Sequence, residues 1–329
     1  MAYTSLHYLL HSGKTPNWIY YLREGASSLI PNALRRWQLP HDLEYGLQHY
    51  NEDYINDRVN YYCKLQENTT YPLTGSPSRI GDLRKRGNGS TYFFDARHTL
   101  CYFDPDLRWQ YLFGDVRDIP DSPTIVKSRS LGDNSNSVLL KLDANRHYIY
   151  VNDHIDIADK EDRAIYRGQI GTRENRKLFV AMYGNHPRVN AGNTLAKGGI
   201  MATNPDGNAT VPRISLYDHL HYRFIMCLEG NDVASNLKWV MSSNSLAVMP
   251  RPTCETWFME GRLQPGVHYV EIRDDFADLI EKMDYYSTHL NEARQIVENA
   301  HRWVSQFRDN RRERYIQQLV MQKYFELCR

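Results

Sequence analysis

Apolar positions change their period along the chain, and the change predicts its organisation. Over roughly the first 65 residues the spacing is helical. Ile19, Tyr20 and Leu22 begin one amphipathic piece, and Ile55, Val59 and Tyr62 share a face of another. A stretch rich in Pro and Gly, 69–90, then breaks the pattern. Short strand-like runs follow at 91–94, 99–103 and 111–116, and at 139–142 and 147–151 beyond a polar loop at 128–137. Further strands are predicted from Ala164 to Arg167 and over 267–272, with an apolar segment at 178–183 and a long surface loop over 185–212. From Asp275 the helical period returns, through Phe276, Leu279, Ile280 and Met283 to Tyr315, Leu319 and Tyr324. Strands alternating with helices predict an α/β protein with parallel sheets.

Residues 222–250 concentrate this pattern. Phe224 to Leu228 is a continuous apolar run, as in a strand buried on both faces. Gly230, Asn231 and Asp232 break it, Ser235 can cap a helix, and Leu237, Val240 and Met241 give that helix one apolar face. Asn244 can end the helix in the left-handed conformation, and 245–249 reads as a second strand stopped by Pro250. Lys238 stands in the first helical turn, where the macrodipole disfavours a cation. Either it contacts a bound phosphate there, or it points into water.

The stretch EGNDVASNLKWVMSSNSLAVM resembles the sugar-nucleotide motif of family 90 glycosyltransferases. That family includes capsule-associated xylosyltransferases, lipopolysaccharide A-type proteins and Rumi-type protein O-glucosyltransferases. Three further stretches agree in order: GDVRDIP at 114–120, AIYRGQIGTRENR at 164–176 and QPGVHYVEIRDDFADL at 264–279. The resemblance implies a GT-B arrangement, with two Rossmann-like domains facing each other across a cleft. Residues 1–158 would form the acceptor-side domain and 159–295 the nucleotide-sugar domain, with helices 296–329 crossing back to the first.

Composition narrows the chemistry further. An apolar share of 41% with 24% charged residues is that of a globular protein, and a net charge of +1 gives no broad surface for nucleic acid. The five cysteines are odd in number, without metal-ligand spacing, which fits a reducing compartment. No run approaches 18 apolar residues, and the N-terminus lacks secretory-signal features. A cytoplasmic protein is expected, with peripheral contact at a membrane face as an option. Arg84–Arg86 and Arg308–Arg314 could make such a contact, or could simply be solvated.

Glycosyl transfer needs cations or N–H dipoles for the leaving diphosphate and, when inverting, a base for the acceptor proton. The resemblance assigns the base to Asp118, with Asp115 and Arg117 beside it; Arg117 could pair with either carboxylate. It matches Arg167 and Gly168 to the family's strand-ending motif, where Gln169 replaces a small hydroxyl residue. The following arginine is Arg176, with Arg173 as competitor. Gly230, Asn231, Asp232, Val233, Ala234 and Ser235 match the phosphate-wrapping loop. Asn236 stands where the family often has an arginine, which leaves Lys238 as the nearest cation. Glu255 and Glu260 are candidates for the ribose hydroxyls, or ordinary ion-pair partners.

The expected enzyme is therefore an inverting glycosyltransferase that uses a UDP-sugar donor, a glycan or lipopolysaccharide-core acceptor and no metal cofactor. Two rivals remain: a non-catalytic glycan-binding protein, and a metal-dependent GT-A transferase built on Asp104 and Asp106.

Overall fold

A computed structural model describes residues 17–84, 90–194 and 211–328. The N-terminal helices form where helical spacing predicts them, α1 Asn17–Ser28, α2 Asn32–His49 and α3 Glu52–Tyr62; α3 buries its predicted face, but on α1 Tyr20 is buried while Ile19 and Leu22 are exposed. Asn51 caps α3 by accepting from the Tyr54 N–H at 2.8 Å, and Glu52 and Asp53 favour its first turn. Residues 90–100 correct the sequence reading. They form a helix, α4 Ser90–Leu100, where strands were expected over 91–94 and 99–103. Asp95 and Ala96 are buried together with Thr99 and Leu100 one turn on, a helical face that outweighs the β-propensity of the aromatic run.

β1 Ser78–Arg79 and β2 Arg108–Trp109 make a short antiparallel ribbon. A three-stranded parallel sheet follows in the order β3 Tyr111–Leu112, β4 Thr124–Val126, β6 Ser137–Leu139. β5 Ser128–Ser130 leaves it to pair antiparallel with β11 Cys254–Thr256, which joins the two halves of the chain. A single helical turn, α5 Ala144–His147, ends where the strand over 147–151 was expected to begin, and residues 148–151 form no strand.

The second sheet is wholly parallel, with five strands in the order β12-β10-β9-β7-β8. They are β7 Glu161–Gly168, β8 Val189–Asn193, β9 Tyr222–Met226, β10 Leu246–Met249 and β12 Val270–Glu271. β8 lies inside the segment read as loop, whose residues 195–210 fall outside the described chain. Three helices connect the strands: α6 Glu174–Tyr183, α7 Leu216–His219 and α8 Leu237–Val240. Alternation along the strands gives the sheet two apolar faces. Phe224, Met226, Leu246 and Val248 pack with Phe179 of α6 and with Phe276, Leu279 and Met283. Ile165, Ile225, Ala247 and Met249 face the other way, into a cluster that continues through Trp257 and Trp239 to Ile55 and Val126.

The C-terminal helices are α9 Leu279–Thr288, α10 Leu290–Ser305 and α11 Asn310–Leu327. α11 packs on α2, α3 and α4. The Tyr324 hydroxyl donates to the Pro123 carbonyl at 3.0 Å and accepts from the Gln110 N–H at 3.0 Å. A buried Arg58–Glu313 pair at 2.9 Å, with Trp257 Nε1 donating to the same carboxylate at 2.6 Å, fixes α11 to α3. Arg312 and Arg308 lie over Tyr54 and Tyr150, so the arginine run at this junction packs on aromatic rings. Of the earlier triplet, Lys85 and Arg86 lie outside the described residues. No described helix is long and apolar enough to cross a membrane.

Candidate active site

β7 and β9 are hydrogen-bonded parallel neighbours, so the loops after them leave the sheet at the same edge. Ligands of open parallel sheets bind at such edges. Here the two loops line one cavity of about 490 Å³. Arg167, Gly168 and Gln169 end β7, Arg173 and Arg176 begin α6, and Gly230, Asn231, Val233, Ser235 and Asn236 come from the loop after β9. Asp115 and Arg146 close it from the first half of the chain. A second cavity of about 430 Å³ lies across the glycine loop, lined by Arg117, Glu229, Ala234, Thr253 and Phe276 among others. Both cavities reach Arg173, Gly230 and Val233.

The arginines divide their work. The Arg176 guanidinium donates to three carbonyls: Leu228 at 2.8 Å, Glu229 at 3.0 Å and Gln169 at 2.8 Å. It therefore holds the two loops together from beneath, and burial lowers its affinity for its proton. A Cβ on Gly230 would stand 3.0 Å from Arg176 Nη2, so the loop approaches the guanidinium as closely as a residue without a side chain permits. Arg173 donates to Asn231 Oδ1 at 2.6 Å, and Arg167 binds the Asn190 side chain and carbonyl. The Nε–H groups of Arg167 and Arg173 are buried without a hydrogen-bond partner among the described residues. Unused donors on paired guanidiniums at a glycine loop suit an anion.

Lys238 is not part of this cavity. It is fully buried, paired with the Glu260 carboxylate, with the Phe258 ring 5.2 Å away. α8 is a single turn that offers no helix terminus for an anion, and Asn236, in the αR conformation, precedes it with no side-chain cap. The Asn236 amide instead donates to the Met226 carbonyl at 2.9 Å, which closes the loop onto β9. Asn244 likewise does not take the left-handed conformation; its side chain bonds the Asp153 and Ile155 carbonyls.

Glu255 is also withdrawn. It lies buried on β11 against Arg129 Nε at 2.8 Å and the Tyr61 hydroxyl, so it is part of the joint between the halves. Glu260 is committed to Lys238 and Thr256. Asp232 is buried at the tip of an ion pair with Lys127, 2.6 Å from its Nζ.

Lys127 was not singled out in the sequence, yet it is central. Its ammonium contacts Asp115 and Asp232 together and lies 3.5 Å from His147 Nε2. Asp115 carries Arg146 as well, at 3.3 Å. Burial acts to raise the Asp115 pKa, but Lys127 and Arg146 outweigh it and hold the carboxyl below the usual range. Lys127 directly follows buried β4, a position at the carboxyl end of a strand that could have marked it. Arg146 and Glu229 had no comparable signal.

Arg117 does not pair with its neighbouring carboxylates. It reaches over the glycine loop to Glu229 at 2.9 Å, the Asn231 carbonyl at 2.6 Å and Thr253 Oγ1 at 3.1 Å. Asp118, the next residue, is exposed and is not among the residues lining either of these cavities; no ion pair to it is found among the described residues. Asp104 and Asp106 form a turn after α4: Asp104 accepts from the Asp106 N–H at 2.8 Å, and Asp106 pairs with Arg79.

The model of glycosyl transferase family 90 matches residues 138–329. The chain belongs to this family. An O-glucosyltransferase LpsA of Dichelobacter nodosus is 41% identical over 83% of this chain and 83% of its own. Protein O-glucosyltransferase 3 of Homo sapiens is 26% identical over 51% of this chain and 32% of its own. Protein O-glucosyltransferase 2 of Danio rerio is 29% identical over 26% of this chain and 17% of its own. This family 90 protein is thus a glycosyltransferase, and the span matched by the family model includes both loops of the larger cavity.

Proposed function

We propose that the cavity between β7 and the glycine loop holds a UDP-sugar and that the sugar passes with inversion to a hydroxyl of a glycan or lipopolysaccharide-core acceptor. The observation that carries this reading is the meeting of Arg167, Arg173 and Arg176 with the 230–236 loop, with two guanidinium Nε–H groups left unused. Relatives named O-glucosyltransferases make glucose the sugar to test first. Residues 1–158 and 159–295 would act as two facing lobes in a GT-B arrangement, with 296–329 returning to the first.

In the reaction, the acceptor oxygen forms a bond to the anomeric carbon as the bond from that carbon to the diphosphate oxygen breaks. Asp118 takes the acceptor proton. UDP departs with the electron pair, and charge gathering on its terminal phosphate meets Arg173 and Arg167, which need no reorganisation. Asp118 suits the base role because its carboxylate is exposed and uncommitted, whereas Asp115 is neutralised by Lys127 and Arg146. Arginines take the place that a divalent cation fills in metal-dependent transferases, so EDTA should leave transfer intact.

Calorimetry with UDP, followed by a screen of UDP-sugars for slow hydrolysis, tests the donor site. Micromolar to millimolar UDP binding with hydrolysis of UDP-glucose is expected. Absence of UDP binding over that range would remove the donor assignment.

A further inference from the structure

α1 and α2 are amphipathic in the inverted sense. Beside Tyr20, Leu39 and Leu43, their inward positions carry charge: Glu24 against His98, Arg35 on the Ser27 carbonyl and hydroxyl at 2.8 Å, and Asp42 near Gln318. Their outward positions are apolar. Trp18 and Leu22 lie one turn apart on α1, exposed by 67% and 69%, and Leu29 just after it is exposed by 83%. Leu34 and Trp37 continue the surface on α2, at 52% and 67%. Elsewhere among the described residues exposed large apolar side chains are sparser, with Leu178 and Met182 of α6 as a pair. A concentration of this kind marks an interaction surface.

Charge selects the occupant. Over α1 and α2 the acidic side chains are Glu24 and Asp42, both buried, and Glu44, exposed in the second half of α2 away from Trp18, Leu22 and Leu34 in sequence, while Arg23 is exposed and Arg36 half-buried. Arg36 also lines a slot of about 180 Å³ with Arg84 and Arg97. The face thus offers tryptophan, leucine and isoleucine rimmed by arginine. An isologous contact with a second copy would set arginine near arginine. An anionic bilayer surface meets both features: tryptophan at the headgroup level, aliphatic side chains below it, and arginine among the phosphates.

We infer that the outer face of α1–α2 docks on an anionic lipid surface, lying in its plane without crossing it. Asp95 holds this face to the body, accepting from the Tyr20 hydroxyl at 3.2 Å and from the Ala144 N–H at 2.8 Å. The docking face stands apart from the transfer proposal and holds whichever donor is used.

Flotation of the full chain with vesicles is the test. Vesicles of phosphatidylcholine mixed equally with phosphatidylglycerol should carry the protein, and vesicles of phosphatidylcholine alone should carry it far less. Trp18→Ser with Trp37→Ser should lower partition to the anionic vesicles by about tenfold or more, with the melting temperature unchanged. Leu22→Glu, on the same face, should act alike. High salt should weaken binding. Three results would overturn the inference. One is no flotation with anionic vesicles. Another is an unchanged partition in both variants. The third is a solution dimer that the double variant dissolves, or a melting temperature lowered by several degrees, which would place the rings against protein.

Discussion

Arg117 donates to Glu229 at 2.9 Å across 112 residues of sequence. Glu229 answers with its whole carboxylate, accepting also from the Thr253 N–H at 2.9 Å and hydroxyl at 2.6 Å. This contact fastens the VRD segment of the first half to the glycine loop of the second. Asp118 is the next residue, so the contact also restrains the backbone that carries it.

Arg117→Ala and Glu229→Gln should therefore behave alike. The pair is partly exposed, so each change should cost only about 1 kcal/mol of stability. Turnover should fall more than stability does if Asp118 is the base proposed above, because its neighbour no longer anchors it. A double-mutant cycle on turnover checks this: strong coupling is expected, and additive losses would show the two residues acting apart.

Lys238→Ala should be a stability variant and not a binding variant. It leaves Glu260 buried without its cation, a loss on the order of 3–5 kcal/mol. UDP affinity of the protein that remains folded should match the parent. Chemical denaturation with calorimetry on one preparation separates the two effects.

Arg173→Ala should weaken UDP binding by about 1–3 kcal/mol, as loss of a charge-assisted hydrogen bond does. Uridine binding should change little. Equal losses for UDP and uridine would place Arg173 away from the diphosphate.

Asp95 gives the protein a pH dependence of its own. Burial pushes its carboxyl from 3.8 up to about 7, against the opposing pull of the Ala144 N–H. The folded state holds this proton more tightly than the unfolded chain between those two values. Stability should fall as pH rises through that window, by at most about 1.4 kcal/mol per pH unit from this group. The difference in stability between parent and Asp95→Asn, followed from pH 4 to 7 by denaturation (about that range suffices), should carry the slope. A flat difference would mean the carboxyl is not held protonated.

What the sequence could and could not show follows from the range of the forces involved. β9, β10 and the loop between them were legible because a buried strand and its turn are written in adjacent residues: Phe224 to Met226, then Gly230 to Asp232. The meeting of Arg173 with Asn231 was reachable through the motifs, which name both loops. Lys238 misled because its partner Glu260 lies 22 residues away and only the fold brings them together. The partners of Lys127 were hidden for the same reason, whatever its place after β4 could have suggested: its two carboxylates, Asp115 and Asp232, come from opposite halves of the chain. The helix at 90–100 was missed because aromatic residues favour strands locally, while the burial of Asp95 and Thr99 is a tertiary fact.

Asp118→Asn tests the proposed mechanism most directly. It keeps the side chain's shape and removes the proton acceptor. On one preparation, melting temperature, UDP affinity, turnover and the anomeric configuration of the parent's product should be measured. UDP affinity should stay within about threefold, under 1 kcal/mol, and melting should not move. Transfer should drop by roughly 10²–10⁴, the range for losing acid–base catalysis, and the parent's product should carry the configuration opposite to the donor. Near-normal turnover in Asp118→Asn, or a product that retains the donor's configuration, would contradict the mechanism.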